Sequence, residues 1–403
     1  SATIPVLPEH RFSGARMSID TPADLRFMEE VYSRLGVTAG EADIADVVSL
    51  LKDNPDLLEI NSHIRQKNAT DQTFKVIIRC DGDEQTGLGH VVRCLALATE
   101  LRDRHSVGVT FAMVTGKTGM EIVQQDDFPV EILTQQSSED EWLEELINAQ
   151  NHHALILDIR SSLNRHSVRQ WRKNGLLIAT IDDPSDRRLE ADLAFYPPVP
   201  QVEEMDWSGF TGQLFVGWEW VLLRRQFTPT PPPGTETSDA ESSTSISPST
   251  HTPKILVTMG GSDPAGLTLK AVRALQQIKT PFYATIVLGQ SFTHYAALKK
   301  LLKKTSFCYS IQHSVENMAQ IMREVDFAIA SFGVTAYELA AMGVPGIYLA
   351  LTEDHARSAN IFEEEGIGFN LGVHETLSDE EIAHTVNRII RNEGLLVHMQ
   401  QKC

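Results

Sequence analysis

The residues VIIRCDGDEQTGLGHVVR at positions 76–93 decide the fold of this chain. They open with an apolar run at 76–78, which is typical of a short buried strand. A glycine-containing loop follows, and the pattern predicts a helix that begins near His90. A strand that leads through a loop into a helix is the repeating unit of a parallel α/β sheet.

Units of this kind recur on both sides of a polar segment. Between Thr228 and Pro253, 19 of 26 residues are Pro, Ser or Thr, so 228–253 is predicted to be a disordered linker. We therefore expect an α/β protein with two Rossmann-like lobes, at 73–227 and 254–403, and an interdomain cleft. The predicted strands lie at 76–78, 109–112, 154–157 and 177–181 before the linker, and at 255–257, 283–288, 327–330 and 346–350 after it.

Residues 1–72 are predicted to be a short helical segment. Thr21 is expected to cap the first helix, with Pro22 at its first position, and Gly36 is expected to end it. The apolar residues that recur at helical spacing in it are Leu25, Met28, Tyr32 and Leu35. Further helices are expected at 43–53, from Pro55 onward, and at 379–400.

Charge and composition argue against several classes of protein. The net charge of −19 argues against a nucleic-acid partner, because affinity for nucleic acid comes mainly from Lys and Arg. The four cysteines form no CxxC pair, no apolar run approaches about 18 residues, and no signal peptide opens the chain. We expect a cytoplasmic protein without a transmembrane segment. Because the chain does not begin with Met, we also expect it to be part of a longer polypeptide.

The loop at 81–89 contains a catalytic candidate. Gly87 and Gly89 let the backbone approach a ligand, and His90 lies where the helix begins. A histidine can take a proton from water near neutral pH. The residues alone leave a second interpretation open, in which His90 only caps the helix or bonds to a loop carbonyl.

Two later strand-to-helix turns are candidates for binding a diphosphate at a helix N-terminus. The first is GGSDP at 260–264, and the second is SFGVTAYE at 331–338, where Glu338 can also accept hydrogen bonds from ribose hydroxyls. Ordinary turns and helix caps produce the same patterns. The candidate binding residues are Gly260, Gly261, Ser262, Asp263, Ser331, Gly333 and Thr335.

Acidic residues end two of the predicted strands. Asp158 follows one strand and Asp182-Asp183 follow the next, at the edge where the active-site groups of parallel sheets collect. Aspartate also favours turns, so this pattern has a structural interpretation too. His355 follows a later strand and is a further candidate for the cleft. The histidines show no metal-ligand spacing, and neither a metal nor a cofactor is predicted.

In these residues the chain resembles the PseG/SpsG family of UDP-sugar hydrolases, which are related to the MurG-type glycosyltransferases of GT-B fold. The similarity lies in four motifs in the same order. They are R-x-D with G-x-G-H-x-x-R at 79–93, Val216-Gly217 leading to Leu222-Leu223-Arg224, GGSDP at 260–264, and S-x-G-x-T-x-x-E at 331–338.

The resemblance implies that His90 activates water and that 260–263 and 331–335 hold the diphosphate of UDP, with Glu338 on the ribose. It implies a catalytic role for Asp81 and Asp158 beside His90. It also implies that the sugar is faced by Arg79, Asp81 and Asp158. Further substrate contacts are expected from Gly87, Gly89, Arg93 and His355. The sequence differs from the family at Asp158-Ile159-Arg160, at 195–198 and at Asp354-His355.

Residues 1–67 resemble the C-terminal part of an SpsF-type cytidylyltransferase, notably in RMSIDTPADL at 16–25. This resemblance implies that Asp20 is a Mg²⁺ ligand in an intact domain. It also implies an upstream cytidylyltransferase domain in the full-length chain, fused to catalyse two steps of one activated-sugar pathway.

The sequence therefore predicts a hydrolase that cleaves UDP from a 2,4-diacetamido-2,4,6-trideoxy hexose or a related amino sugar, in the biosynthesis of a pseudaminic-type nonulosonic acid. Two alternatives stay open. One is a UDP-sugar-dependent glycosyltransferase of surface polysaccharide synthesis. The other is a non-catalytic nucleotide-sugar-binding partner of the fused cytidylyltransferase.

Overall fold

The structure is a computed structural model of the chain. It describes residues 12, 15, 17–19, 21–37, 42–61, 74–83, 87–114, 116–133, 137–228, 252–315 and 317–403. Asp20 and nearly all of the predicted linker at 228–253 lie outside the described residues. The chain forms two compact units, residues up to 76 together with 98–109, and residues 77–97 together with 110–403.

In the first unit, the N-terminal helix begins and ends where the sequence predicts. Helix α1 (Pro22–Leu35) starts after Thr21, whose side chain accepts a hydrogen bond from the Asp24 N–H while the Asp24 side chain accepts one from the Thr21 N–H. Gly36 ends the helix with a φ of 70°, in the left-handed region that glycine favours. Helix α2 (Ile44–Asp53) and a 3₁₀ helix (Pro55–Ile60) follow.

The buried face of α1 contains Phe27 and Val31, which are fully buried, whereas Leu25 is 47% exposed. Leu25 lies two residues before Phe27, which places it about 200° away around the helix axis. The buried face packs against Val47, Leu51 and Leu57, and Met28 and Leu35 pack against the same cluster.

A first parallel sheet carries the strands predicted before the linker. Its strands are β1 (Lys75–Cys80), β2 (Gly108–Met113), β3 (Val130–Ile132), β4 (Ala154–Asp158), β5 (Leu177–Ile181), β6 (Leu193–Tyr196) and β7 (Gln213–Val216). The helices among them are α3 (Gly89–His105), α4 (Lys117–Gln125), α5 (Glu139–Ala149), α6 (Arg165–Lys173) and α7 (Gln201–Glu204). The strand order is β3-β2-β1-β4-β5-β6-β7, so the direction of winding reverses between β1 and β4. Ligands of such sheets bind at the carboxyl ends of the strands that flank this reversal.

A second parallel sheet carries the strands predicted after the linker. Its strands are β8 (Lys254–Thr258), β9 (Tyr283–Leu288), β10 (Cys308–His313), β11 (Phe327–Ser331), β12 (Gly346–Ala350) and β13 (Gly368–Val373). The helices are α8 (Leu267–Leu275), α9 (Tyr295–Leu302), α10 (Met318–Arg323), α11 (Val334–Ala341), α12 (Glu353–Glu364), α13 (Asp379–Ile390) and α14 (Glu393–Lys402). The order β10-β9-β8-β11-β12-β13 repeats the reversal of the first sheet, here between β8 and β11.

The strands that the sequence did not reveal are mostly edge strands. Of the five, β3, β7, β10 and β13 lie at the edges of the two sheets, and β6 lies beside an edge. Helices cover edge strands less completely than central strands. The sequences of edge strands are therefore not continuous apolar runs. The single helix predicted at 379–400 is also corrected to two helices, because Asn392 caps α14 by accepting a hydrogen bond from the Leu395 N–H.

Trp218 and Trp220, which follow β7, pack on different lobes. The ring of Trp218 lies 5.0 Å from that of Phe362 in α12, and the ring of Trp220 lies 4.6 Å from that of Phe215 in β7. These contacts tie the chain that follows β7 to each lobe in turn. Among the described residues, no helix is both long and apolar enough to cross a membrane.

Candidate active site

His90 lies in the first turn of α3, directly after the glycine loop that follows β1. Gly87 in this loop has a φ of 90°, which a larger residue rarely adopts. Gly89 faces the second lobe, because a methyl group on it would lie 3.5 Å from Cγ2 of Val334 at the start of α11. The imidazole of His90 is 26% exposed and lines a pocket, as the sequence predicts.

His90 forms a close pair with Asp158, the last residue of β4. Its Nδ1 lies 2.5 Å from Oδ1 of Asp158, whose side chain is fully buried. The two residues are far apart in sequence, and the sheet brings them together because β1 and β4 are neighbouring parallel strands. A buried carboxylate that holds one imidazole nitrogen is the arrangement that orients a catalytic histidine.

Arg93 stands on the other side of this carboxylate. Its Nε donates to Oδ2 of Asp158 and its Nη2 donates to Oδ1, both at 2.6 Å. Burial opposes ionisation of Asp158, but the charge and hydrogen bonds of Arg93, helped by His90, hold the pKa of this carboxyl far below its usual value. Asp158 is therefore a permanent acceptor.

The permanent acceptor fixes the tautomer of His90. Since Asp158 has no proton to donate, Nδ1 of His90 must carry the hydrogen that joins them. Nε2 then keeps its lone pair. Because the ring lines the pocket, this lone pair can accept a proton from a bound water or hydroxyl group.

The pocket has a volume of about 310 Å³ and lies between the two lobes of the second unit. On the first lobe it is bounded by residues at the ends of β1, β4, β5 and β6 and by α7, and on the second by the starts of α11 and α12. The lining residues are Gly89, His90, Arg93, Arg160, Asp182, Pro184, Pro197, Val199, Gln201, Met205, Phe332, Gly333, Val334, Tyr337, Asp354, His355 and Ser358.

Helix α11 presents its N-terminus to this pocket. Gly333 is its N-cap, and no side chain caps it. The first N–H groups of a helix together carry roughly half a positive charge, so they attract an anion. Gly333 lines the pocket as predicted, whereas Ser331 at the end of β11 and Thr335 in α11 do not.

Glu338, also predicted to bind substrate, is buried one turn further along α11. Its Oε1 accepts a hydrogen bond from Nη2 of Arg224 at 2.9 Å. Burial raises the pKa of this carboxyl, and the positive charge of Arg224 acts in the opposite direction. Arg224 ends one of the four sequence motifs, so two of these motifs meet at this ion pair.

In the GGSDP turn after β8, the two glycines and the aspartate have different surroundings. Gly260 has a φ of 77°, and a methyl group on Gly261 would approach Leu88 of the first lobe to 4.0 Å, so this turn also borders the other lobe. The side chain of Asp263, which was predicted to contact the diphosphate, is hydrogen-bonded to the helix that follows. Its two carboxylate oxygens accept hydrogen bonds from the N–H groups of Leu267 and Thr268, the first two residues of α8, at 2.7 and 2.9 Å.

Arg79 and Asp81 do not line the pocket, in contrast to the predicted sugar contacts. The side chain of Arg79 is fully buried and forms ion pairs with Asp81 at 2.7 Å and Glu139 at 2.8 Å. Asp81 also accepts a hydrogen bond from the Val114 N–H. The partner Glu139 lies in α5, 60 residues after Arg79, and nothing in the local sequence indicates this pairing.

His355, in the first turn of α12, lines the pocket as predicted. Its Nδ1 is buried and has no hydrogen-bond partner among the described residues. Burial lowers the pKa of this imidazole, although Asp354 and Asp182 oppose the shift. Nearby, Nε2 of Gln201 donates to the backbone oxygen of Asp354 at 3.0 Å and to Oγ of Ser358 at 2.8 Å, which joins α7 to α12.

Five polar residues of the pocket were not predicted as site residues: Arg160, Gln201, Tyr337, Asp354 and Ser358. Arg160 donates to the carboxylate of Asp182 at 2.9 Å, and Asp182 has an unusual φ of 52°. Of the predicted pair Asp182-Asp183, only Asp182 reaches the pocket, because Asp183 is buried in an ion pair with Arg187. A single arginine, glutamine or tyrosine carries no spacing signal in the sequence.

Two lobes, each a parallel sheet with helices, and a cleft at both points of reversed winding define the GT-B fold. Solved structures of this fold resemble the chain. MurG of Acinetobacter baumannii has a TM-score of 0.60 at 16% identity, with 82% of this chain and 94% of MurG covered. The spinosyn rhamnosyltransferase SpnG has a TM-score of 0.52 at 16% identity, with 82% and 95% covered. HepE of Anabaena, solved in complex with UDP, has a TM-score of 0.50 at 13% identity, with 82% and 93% covered.

At the level of sequence, the chain is similar to the spore coat polysaccharide biosynthesis protein SpsG of Bacillus subtilis. The two are 22% identical over 327 residues, which covers 80% of this chain and 91% of SpsG. The protein MJ1062 of Methanocaldococcus jannaschii is 26% identical over 286 residues, or 70% of this chain and 56% of that protein. No family model matches the chain.

Proposed function

We propose that this chain uses a nucleotide sugar and hydrolyses a UDP-linked amino sugar at the anomeric carbon. The observation that carries the proposal is the His90–Asp158 pair, set in a pocket beside the uncapped N-terminus of α11. The pair supplies a base, and the helix supplies a site for a negatively charged leaving group. These are the two groups that the cleavage of a sugar–diphosphate bond requires.

In the proposed mechanism, Nε2 of His90 takes a proton from a water molecule as the water oxygen attacks the anomeric carbon. The bond from that carbon to the diphosphate oxygen breaks, and UDP leaves with the bonding electrons. The N–H groups at the start of α11 stabilise the charge on the diphosphate. Asp158 stabilises the imidazolium, which then loses its proton to solvent. The products are the free sugar, UDP and one proton.

The remaining site assignments extend this scheme to the nucleotide. Glu338 would accept hydrogen bonds from the ribose hydroxyls, and the backbone at Gly260 and Gly261 would approach the diphosphate. HepE, a protein of the same fold, was solved with UDP, which supports UDP as the nucleotide. SpsG is a protein of spore coat polysaccharide biosynthesis, which supports a role in the supply of surface sugars. The diacetamido hexose and the upstream cytidylyltransferase domain are proposed on the family resemblance.

A glycosyltransferase is the second candidate, and the fold favours it, since SpnG is a rhamnosyltransferase with the same architecture. In that case an acceptor hydroxyl would replace the water at His90. The two functions share every residue described above and differ only in the attacking oxygen.

Mass spectrometry of UDP-amino sugars incubated in ¹⁸O-labelled water separates the candidates. A hydrolase releases UDP without an added acceptor and places the label on the free sugar, as attack at carbon demands. A transferase releases almost no UDP under these conditions. Label in the phosphate would overturn the mechanism, and tight binding without turnover of any UDP-sugar would support a non-catalytic partner instead.

A further inference from the structure

We infer that Arg93 is a positioning residue that acts on His90 through Asp158, rather than the substrate-binding residue that the sequence predicts. The inference rests on the proposed function, since it assigns Arg93 a role in the base that this function requires. Three features support it: the geometry of the guanidinium, the use of its donors and the charge that it neutralises.

The guanidinium makes a bidentate contact with the carboxylate of Asp158. Nε and Nη2 each donate to a different carboxylate oxygen at 2.6 Å, so the plane of the carboxylate is fixed. The Cys94 thiol adds a contact of 3.3 Å to Oδ2. Oδ1 is then directed at Nδ1 of His90, 2.5 Å away. Because His90 and Arg93 are three residues apart on α3, one helical turn places both beside the same carboxylate.

Few donors of Arg93 remain for a ligand. Besides the two bonds to Asp158, Nη2 lies 3.1 Å from Nδ1 of His90. Nη1 and Nη2 also lie 3.4 and 3.5 Å from Oδ2 of Asp182. The side chain is only 15% exposed. An arginine that binds a diphosphate presents its planar fork to the ligand, whereas here the fork is occupied by a buried carboxylate.

Arg93 also controls how much negative charge His90 experiences. With the arginine present, the Asp158 carboxylate beside His90 is paired with a cation. Other charged or titratable groups face the same pocket from each element around it, namely Asp182, Arg160, Tyr337, Asp354 and His355. Asp182 and Arg160 are themselves paired at 2.9 Å, so removal of Arg93 leaves Asp158 as the main unbalanced charge beside His90.

The test compares Arg93→Gln and Arg93→Lys with a matched control, Arg169→Gln. Arg169 lies on α6, is 42% exposed and pairs with Glu190. For Arg93→Gln we expect kcat to fall on the order of 10²-fold, as for other displaced catalytic groups, while KM stays within about twofold. Arg93→Lys keeps the charge but loses the bidentate contact with Asp158, so kcat should still fall.

Nitrogen NMR of the imidazoles, assigned with His90→Gln, gives a second measurement that does not depend on turnover. Wild-type His90 should show a protonated Nδ1, and the Arg93→Gln variant should show a mixture of tautomers. An unchanged His90 signal, or a raised KM with unchanged kcat, would overturn the inference. If His90→Gln were as active as wild type, the proposed function would fail, while the NMR comparison would still test whether Arg93 positions His90. The Arg169→Gln control should match wild type in every measurement.

Discussion

Gly89, at the start of α3, faces Val334, at the start of α11. A methyl group on Gly89 would lie 3.5 Å from Cγ2 of Val334. The N-termini of two helices from different lobes therefore meet at one place, beside the imidazole of His90. Each helix N-terminus carries roughly half a positive charge, so together they favour a dianionic leaving group without additional lysines or arginines. Under the proposed function, this geometry would let a chain of net charge −19 hold a diphosphate.

Asp158→Asn should lower kcat and leave the affinity for UDP nearly unchanged. An amide cannot hold Nδ1 of His90 as a permanent acceptor does, so part of the imidazole adopts the wrong tautomer. A fall on the order of 10⁴-fold is known for the equivalent change in a serine protease, and we expect at least about 10² here. Steady-state kinetics and UDP titration measure both effects. Asp186→Asn, at an exposed ion pair, is the matched control. If Asp158→Asn kept the wild-type kcat, the proposed role of Asp158 in orienting His90 would be wrong.

The same carboxylate should affect stability in acid. Because the pKa of Asp158 is lower in the folded chain than its ordinary value of about 3.9, ionised Asp158 stabilises the fold above that pH. This contribution is lost as the pH falls below about 4 toward the pKa of the folded state. The free energy of unfolding in urea should therefore decline more steeply between about pH 5 and pH 3 in wild type than in Asp158→Asn. Equal slopes would contradict the lowered pKa.

The start of the second lobe depends on a glycine outside every motif. A methyl group on Gly289, just after β9, would lie 2.1 Å from the backbone oxygen of Gly261. Gly289→Ala must therefore displace the Gly260–Gly261 turn, and we expect a destabilisation of about 1–3 kcal/mol together with weaker UDP binding. Gly394→Ala is the matched control, because its methyl group meets nothing closer than 3.6 Å. Thermal unfolding and UDP titration are the measurements, and wild-type behaviour of Gly289→Ala would contradict this packing.

Much of the fold and part of the site could be predicted from the sequence. The central strands β1 and β4 contain apolar runs that the sequence reveals, His90 follows β1 after the glycine loop, and Asp158 ends β4. Edge strands such as β10 carry no such run. Arg79 could be placed near the ligand edge from the sequence, but its buried partner Glu139 in α5 could not be predicted, because the two residues are distant in the chain. Contacts made across the sheet, rather than along the chain, decide which polar residues reach the pocket.

The contact between α7 and α12 should matter for substrate affinity. Gln201 donates to both Asp354 and Ser358 beside the pocket, whereas Glu204 on the same helix forms an exposed ion pair with Arg357. We expect Gln201→Ala to raise KM several-fold, since α7 then loses its hydrogen bonds to α12 at one side of the pocket. Glu204→Ala should change KM and stability little, because exposed ion pairs contribute at most about 1 kcal/mol. Similar KM values for the two variants would argue against a role for Gln201.

The most direct test of the account is the comparison of His90→Gln with wild type, with UDP affinity and turnover measured on the same preparations. Glutamine has no basic nitrogen, so the variant should bind UDP with a Kd within about twofold of wild type while kcat falls by about 10²–10⁴-fold. That result would establish His90 as the base. Turnover of the His90→Gln protein at the wild-type rate would contradict the central claim.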